Sequence, residues 1–198
     1  LPVGKLVCAS NENKVLTEFF ESGVYNKNRA FHVTKSPSMD ILISSNLERL
    51  LYIVCGAEKC ASYMKDLNTK GEYKITDEEL AKIRELIDAG YADDKDSYET
   101  IKSVYEKDAY LMDTHTAVAI SVCDEYIKTT GDKTPVVIAS TASPFKFSKA
   151  VLSAVESEPK VYDDEFSTVK ALEEISGLTA PSQLSALKGK EVRFTKVT

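Results

Sequence analysis

The chain has 198 residues, 43% of them hydrophobic, and a formal net charge of -6. That is enough for one ordinary domain or for half of a larger one. The acidic balance speaks against nucleic acid as a partner, and no apolar run approaches the length of a membrane span, so neither nucleic acid nor membrane is expected to bind.

The opening stretch, LPVGKLVCASN, has neither a charged leading region nor a long apolar core, so no signal peptide is expected. Residues Val3 to Ala9 read as a short buried strand. A sheet strand at the very start, with Leu1 and no initiator Met, leads us to expect a piece of a longer protein. Ser10-Asn11-Glu12-Asn13 is a turn and helix start. KVLTEFFES then carries apolar positions at helical spacing, with Gly23 suited to the C-terminal cap. VYNKNR reads as a polar loop, and Phe31 to Thr34 as an extended piece.

Ser45 and Glu48 have the spacing of a capping box, predicting a helix that Gly56 stops near Cys55. AEKCASYMKDLNTKG predicts a second helix, again ended by Gly, and EYKIT a short extended piece. Thr76 and Glu79 form a second capping box ahead of EELAKIRELIDAG, which Gly90 is expected to close. Asp93-Asp94-Lys95-Asp96 reads as a solvated turn before the amphipathic helix DSYETIKSVYEK. HTAVAISVCDEYIKTTGD is nearly continuously apolar to Val122, predicting a buried helix that ends at Gly131.

TPVVIAS is the second well-marked strand. Helices are expected near Lys146–Ser157, Asp164–Ser176 and Pro181–Leu187, with a last strand at EVRFTKV. The fold class is therefore α/β, rich in helices and poor in strands. Both clear strands are short, apolar and followed at once by helices, the pattern of parallel strands in a layered sheet. Ligands in such sheets sit beyond the carboxyl ends of the strands. Residues 10–14 and 140–146 are thus the places to look for chemistry.

Cys8, Cys55, Cys60 and Cys123 are scattered, with no C-x-x-C pair. Cys8 and Cys123 sit in apolar surroundings and read as buried thiols. His32 and His115 lack ligand spacing, so no structural zinc is expected, and the cysteine usage implies a reducing, cytoplasmic compartment.

In the stretch VVIASTASPFKF, a buried run empties Ser140, Thr141 and Ser143 into a tight turn. A hydroxyl donates and accepts without charge, which suits a neutral ligand atom such as a ring nitrogen. The plainer alternative is that these hydroxyls cap the next helix. Asn11 and Asn13 could hold a phosphate or carboxylate at a helix start, or simply make an Asx-turn and cap. Ser38 and Asp40, in the loop SPSMD, could line a substrate or merely lead into a helix. His115 could serve as acid, base or anion contact, or as a satisfied structural residue. All eight glycines are isolated, so no Gly-rich phosphate cradle exists in this chain.

Taken in order, SNENKVLTEFF, SPSMDILISSNLERLLY, DTHTAVA and STASPFKF closely resemble threonine synthase, a pyridoxal-phosphate enzyme of the tryptophan-synthase-β-like class (fold type II). The resemblance covers nearly the whole chain and is to the carboxyl-terminal portion of that family. It implies that residues 1–198 are one carboxyl-terminal portion of a larger two-domain enzyme, the amino-terminal part being absent. The family converts O-phosphohomoserine and water to threonine and phosphate. Its Schiff-base lysine and its Gly-rich phosphate loop would both lie upstream of Leu1, so no catalytic residue is expected here.

Within this resemblance Thr141 matches the threonine beside the cofactor's pyridine nitrogen, with Ser140 adjoining it. Asn11 and Asn13 match an Asn-rich turn that follows the phosphate-loop segment, Ser38, Met39 and Asp40 a loop that approaches the active site, and Asp113 and His115 a segment that usually reads Asp-Pro-His; Asn11, Asn13, Ser38, Asp40 and His115 are the residues expected to bind substrate. The sequence departs from the family at Ser143, where many relatives carry His, and at Thr114, where the usual reading is Asp-Pro-His. The expectation is a cytoplasmic lyase of threonine biosynthesis whose isolated chain is inactive and self-associates through unpaired strand edges. The alternatives are a non-catalytic binding or interaction module that retains part of the fold, and a related pyridoxal-phosphate phospholyase.

Overall fold

The computed structural model describes residues 2–158 and 160–193. Strand β1 (Leu6–Ser10) lies parallel to β4 (Ile87–Tyr91), in a register running from Leu6 opposite Ile87 to Ser10 opposite Tyr91. A second, antiparallel pair joins β2 (Val24–Asn26) to β3 (Glu72–Lys74). The helices are α1 (Val15–Ser22), α2 (Leu47–Lys70), α3 (Asp77–Leu86), α4 (Asp94–Asp108), α5 (Thr114–Thr130), α6 (Ser148–Val155), α7 (Glu165–Ser176) and the short α8 (Ser182–Ser185). The architecture is helix-rich α/β with few strands, as the pattern predicts.

The β1–β4 pair is covered on both faces. Val7 and Ala9 point to one side, against Val118 and Val122 of α5. Cys8, Ile87 and Ala89 point to the other, against the cluster that contains Val15, Phe19 and Phe20 of α1. This is the period-two alternation of a strand set between two helical layers, but the strand expected to be buried over Val3–Ala9 begins only at Leu6 and is half-buried, because the two-stranded sheet leaves Leu6 and Tyr91 exposed. On the α1 side the core is aromatic: Tyr25 and Tyr73 stack at 5.4 Å, and Phe19 meets both edge-on. Beyond α5 a second core joins α4, α6 and α7 around Ile101, Val151, Leu152 and Leu172.

Several local signals act as read. Gly23, Gly71, Gly131 and Gly177 end helices in the left-handed region. Thr76 and Glu79 make the reciprocal capping box that opens α3. Gly56 breaks α2 with φ 81° and ψ 172°, but the helix resumes at once, so the two expected helices form one interrupted element.

Others are corrected. Ser45 makes no capping box: Asn46 precedes α2 in a helical conformation, without a side-chain cap bond. The polar loop at 24–29 begins with β2, a strand too short to show alternation but fixed by burial of Tyr25. Phe31–Thr34 pairs with no strand, and its contacts run through side chains instead. Asp93 and Asp96 form a capping box on α4 rather than a plain turn.

Gly90 does not end a helix; α3 stops at Leu86 and the chain turns into β4. Helical spacing in EELAKIRELIDAG overran because the last apolar positions serve a strand. The expected strand TPVVIAS is also absent, and Val137 is 94% exposed. A strand needs a neighbour for its backbone groups, and among the described residues none lies beside 134–140. Pro144–Phe147 is a 3₁₀ turn leading into α6, and a second, Ala186–Gly189, follows α8. The expected last strand falls largely outside the described residues; 191–193 are irregular.

Candidate functional site

The loop 34–40 crosses the carboxyl ends of β1 and β4, and side chains at the end of β1 hold it there. Asn11 and Asn13 follow β1 directly and are each 2% exposed. Asn11 Nδ2 donates to Asp40 Oδ1 at 2.7 Å and to Thr34 Oγ1 at 2.9 Å. Its Oδ1 accepts from the Asn13 backbone N–H at 3.1 Å, an Asx-turn that bends the chain into α1. Asn13 Nδ2 donates to the His32 carbonyl at 2.9 Å and reaches Asp40 Oδ1 at 3.2 Å, while Asn13 Oδ1 accepts from His32 N–H at 3.0 Å. The half-buried Asp40 carboxylate also accepts from Thr34 Oγ1 at 2.7 Å and from the Thr34 backbone N–H at 3.0 Å. Both asparagines therefore spend their polar groups on shaping the loop.

A 3₁₀ turn, Pro37–Met39, forms the tip of this loop and leaves Ser38 exposed. The Ser38 backbone N–H meets His115 Nε2 at 3.1 Å. On the landward side the Lys35 backbone N–H donates to Asp94 Oδ1 at 2.9 Å, at the start of α4. The turn is thereby tied to elements that follow β4.

His115 stands in the first turn of α5. Its ring Nδ1 lies 2.8 Å from Asp113 Oδ1, and Asp113 is wholly buried. Asp113 caps the helix by accepting from the backbone N–H of His115 at 2.9 Å, and it also accepts from the Thr116 hydroxyl. Burial raises the Asp113 carboxyl, but the hydrogen bonds from His115 and Thr116 outweigh it and hold the group below the usual aspartate range. The His115 ring packs on Phe147 at 4.6 Å between centroids. Thr114, next to both, is fully buried and its hydroxyl has no partner among the described residues.

The turn 140–147 approaches from the other side. Ser140 Oγ lies 3.1 Å from Thr116 Oγ1, with Tyr110 OH at 3.5 Å. Ser143 Oγ accepts from the Phe145 backbone N–H at 3.4 Å, so this hydroxyl caps the 3₁₀ turn. Thr141 is exposed and enters none of these bonds. Its hydroxyl keeps its donor and acceptor capacity.

The structure brings Asn11, Asn13 and Asp40 into one hydrogen-bonded cluster, and the Ser38 backbone, His115 and Ser140 into a second; the backbone of the loop joins the two, and Thr141 adjoins the edge of the second. Thr34 completes the first, and Thr116, Tyr110 and Phe147 the second. Of these only Thr116 carried a local signal, three residues after a capping aspartate. Among the described residues no group of three or more His, Cys, Asp or Glu could hold a metal ion, and no helix is long and apolar enough to cross a membrane. All four cysteines are free thiols, and burial pushes the Cys8 thiol up to about 11.

A family model described as threonine synthase, C-terminal, matches residues 116–198. Human threonine synthase-like 1 is 38% identical over 162 residues, covering 79% of this chain and 21% of its own. The crystal structure of threonine synthase from yeast superposes with a TM-score of 0.82 at 29% identity, over 96% of this chain and 38% of that one. The crystal structure of PLP-bound threonine synthase from Brucella melitensis gives 0.74 at 34% identity, over 89% and 40%. The chain spans about a fifth of the human protein and about two fifths of the two crystallised chains.

Proposed function

We propose, for a chain that corresponds to the carboxyl-terminal portion of a threonine synthase, that it serves an enzyme converting O-phosphohomoserine and water to threonine and phosphate. In this reading residues 1–198 are one carboxyl-terminal portion of a two-domain protein, and pyridoxal 5'-phosphate is the cofactor. The observation that carries it is the convergence of the Ser38 turn, the Asp113–His115 pair and the Ser140–Thr141 turn at the carboxyl ends of β1 and β4.

The residues present fit one part of that cofactor. Thr141 offers an exposed, uncharged hydroxyl outside the internal network, the chemistry a pyridine nitrogen can meet without being forced to protonate. With isolated glycines only, the cofactor phosphate has no Gly-rich cradle here and is assigned to preceding sequence. When bound, the cofactor supplies an electron sink, and the protein positions and tunes it. Ser140 fixes the turn that carries Thr141. Asn11, Asn13 and Asp40 set the course of the loop, so that the exposed Ser38 is presented from a braced backbone. The four free thiols go with a reducing, cytoplasmic setting.

The test is an assay of threonine and phosphate release from O-phosphohomoserine by the longest polypeptide that the source cell makes. Release of both products supports the reading. Phosphate without threonine would replace it with a phospholyase, and release of neither with a binding module. The 198-residue chain alone is expected to release none, because no cofactor lysine is assigned within it.

A further inference from the structure

The surroundings of His115 decide which ring nitrogen carries its proton. Asp113 is an acceptor facing Nδ1 at 2.8 Å, and the Ser38 backbone is a donor facing Nε2 at 3.1 Å. An amide N–H cannot accept, so Nε2 must present a lone pair. Asp113, an ionised carboxylate, accepts only, so Nδ1 must carry the hydrogen. The Thr116 hydroxyl gives its single hydrogen to Asp113. It therefore has none left for Ser140, and the Ser140 hydroxyl must donate to Thr116 across the 3.1 Å gap. Two directed chains end on one buried carboxylate: Ser140 through Thr116, and Ser38 through His115.

We propose that His115, oriented as the Nδ1–H tautomer by Asp113 and accepting from the Ser38 N–H at Nε2, is a positioning residue that latches the Pro37–Met39 turn to the start of α5, and that Asp113 thereby sets the Ser38 turn and the Ser140 turn in common register. The latch is built on a backbone N–H, which any residue but proline would supply at position 38, and on an imidazole whose face is fixed by Phe147. Its effect is to hold the exposed Ser38 side chain at a set distance from the segment that carries Thr141. That bearing on turnover rests on the threonine synthase reading; the latch itself does not.

Two substitutions separate the two ring nitrogens. His115→Gln places a carbonyl oxygen where Nε2 stands and keeps an acceptor for Ser38. His115→Asn places an amide N–H where Nδ1 stands, keeps the Asp113 contact and removes the latch. Hydrogen exchange of the Ser38 amide in the 198-residue chain is the readout. Losing one neutral hydrogen bond should raise its exchange by about tenfold in His115→Asn, while His115→Gln stays within about twofold of the native chain. Nitrogen-15 shifts of the native His115 ring should show a protonated Nδ1 and an unprotonated Nε2. Equal Ser38 exchange in native and His115→Asn proteins, or an Nε2–H ring, would overturn the proposal. The ring measurement needs no variant to fold, and neither readout requires activity, so failure here is distinct from failure of the assay above.

Discussion

Asn11 donates to Asp40 at 2.7 Å, joining the residue that follows β1 to the residue that closes the 3₁₀ turn. Thr34 and Asn13 crowd the same Asp40 oxygen. Replacing Asn11 by Ala removes one donor and leaves polar groups of a buried cluster short of partners. Such losses cost about 1–3 kcal/mol. Asn11→Ala should lower the urea midpoint accordingly, and Asn11→Asp, which sets a second carboxylate against the first, should lower it more. If Asn11→Asp is as stable as the native chain at neutral pH, the cluster does not brace the loop.

Glu79 is 4% exposed and accepts from Lys59 Nζ at 2.8 Å, Tyr63 OH at 2.7 Å and the Thr76 backbone N–H at 2.9 Å. Burial raises its carboxyl, but these bonds outweigh it and hold the group at about 2. The folded value is depressed, so the stabilisation is complete above the unfolded glutamate value of about 4.3 and is lost as pH falls from there towards 2. Glu79→Gln keeps the shape without the charge. It should destabilise by about 2 kcal/mol at pH 7, the scale of a charge-assisted hydrogen bond, and its deficit should shrink as pH falls through that window. Parallel stability curves for the two proteins from pH 6 to pH 2 would remove the effect.

A Cβ on Gly90 would stand 2.8 Å from Val122 Cγ1, and Val122 is a buried, β-branched side chain with no room to turn. Gly90→Ala must push α5 off β4, at about 1–3 kcal/mol for an overpacked core. A lowered melting temperature is expected, and Gly90→Ala with Val122→Ala should recover part of it. No recovery in the double variant would place the strain elsewhere.

β1 and β4 form a two-stranded sheet, and 134–140 forms no strand, with Val137 almost wholly exposed. Unpaired strand edges invite pairing between copies. Dimers or larger species are expected for the isolated chain by light scattering, and Val137→Lys should reduce them. A clean monomer at high concentration would count against self-association.

In the polypeptide that carries the activity, Thr141→Ser should retain turnover. Thr141→Val, which loses the hydroxyl but keeps the volume, should lower it by about tenfold, the worth of one neutral hydrogen bond. Equal rates for the two variants would take Thr141 away from the cofactor.

What could be read in advance follows from how locally each feature is encoded. Gly23, Gly131 and the Thr76–Glu79 pair act within one turn of chain, and they do what their residue types require. Gly90 and the segment 134–140 fail for the opposite reason. Each is decided by what lies beside it in space: Gly90 by Val122, and Val136 and Val137 by the lack of a neighbouring strand among the described residues. The site divides the same way. Asp113 beside His115 is a local motif, but His115 meets Ser38 across 77 positions of sequence, through a backbone amide that no residue type announces. Thr34 carries no signal in the sequence, because an ordinary threonine acquires its role only when the loop is folded.

The parallel pairing of Leu6 with Ile87 and of Ser10 with Tyr91 also sets a timetable. β1 is synthesised before β4, and β4 is completed only after α1, β2, α2, β3 and α3 have been made. Throughout that interval LVCAS lacks its β4 partner, and apolar segments short of a partner are the kind that aggregate during synthesis. Closing so long a loop is slow compared with winding the intervening helices. The helices between them are therefore expected to wind before β1 and β4 pair, and that late, non-local pairing sets the floor beneath the site.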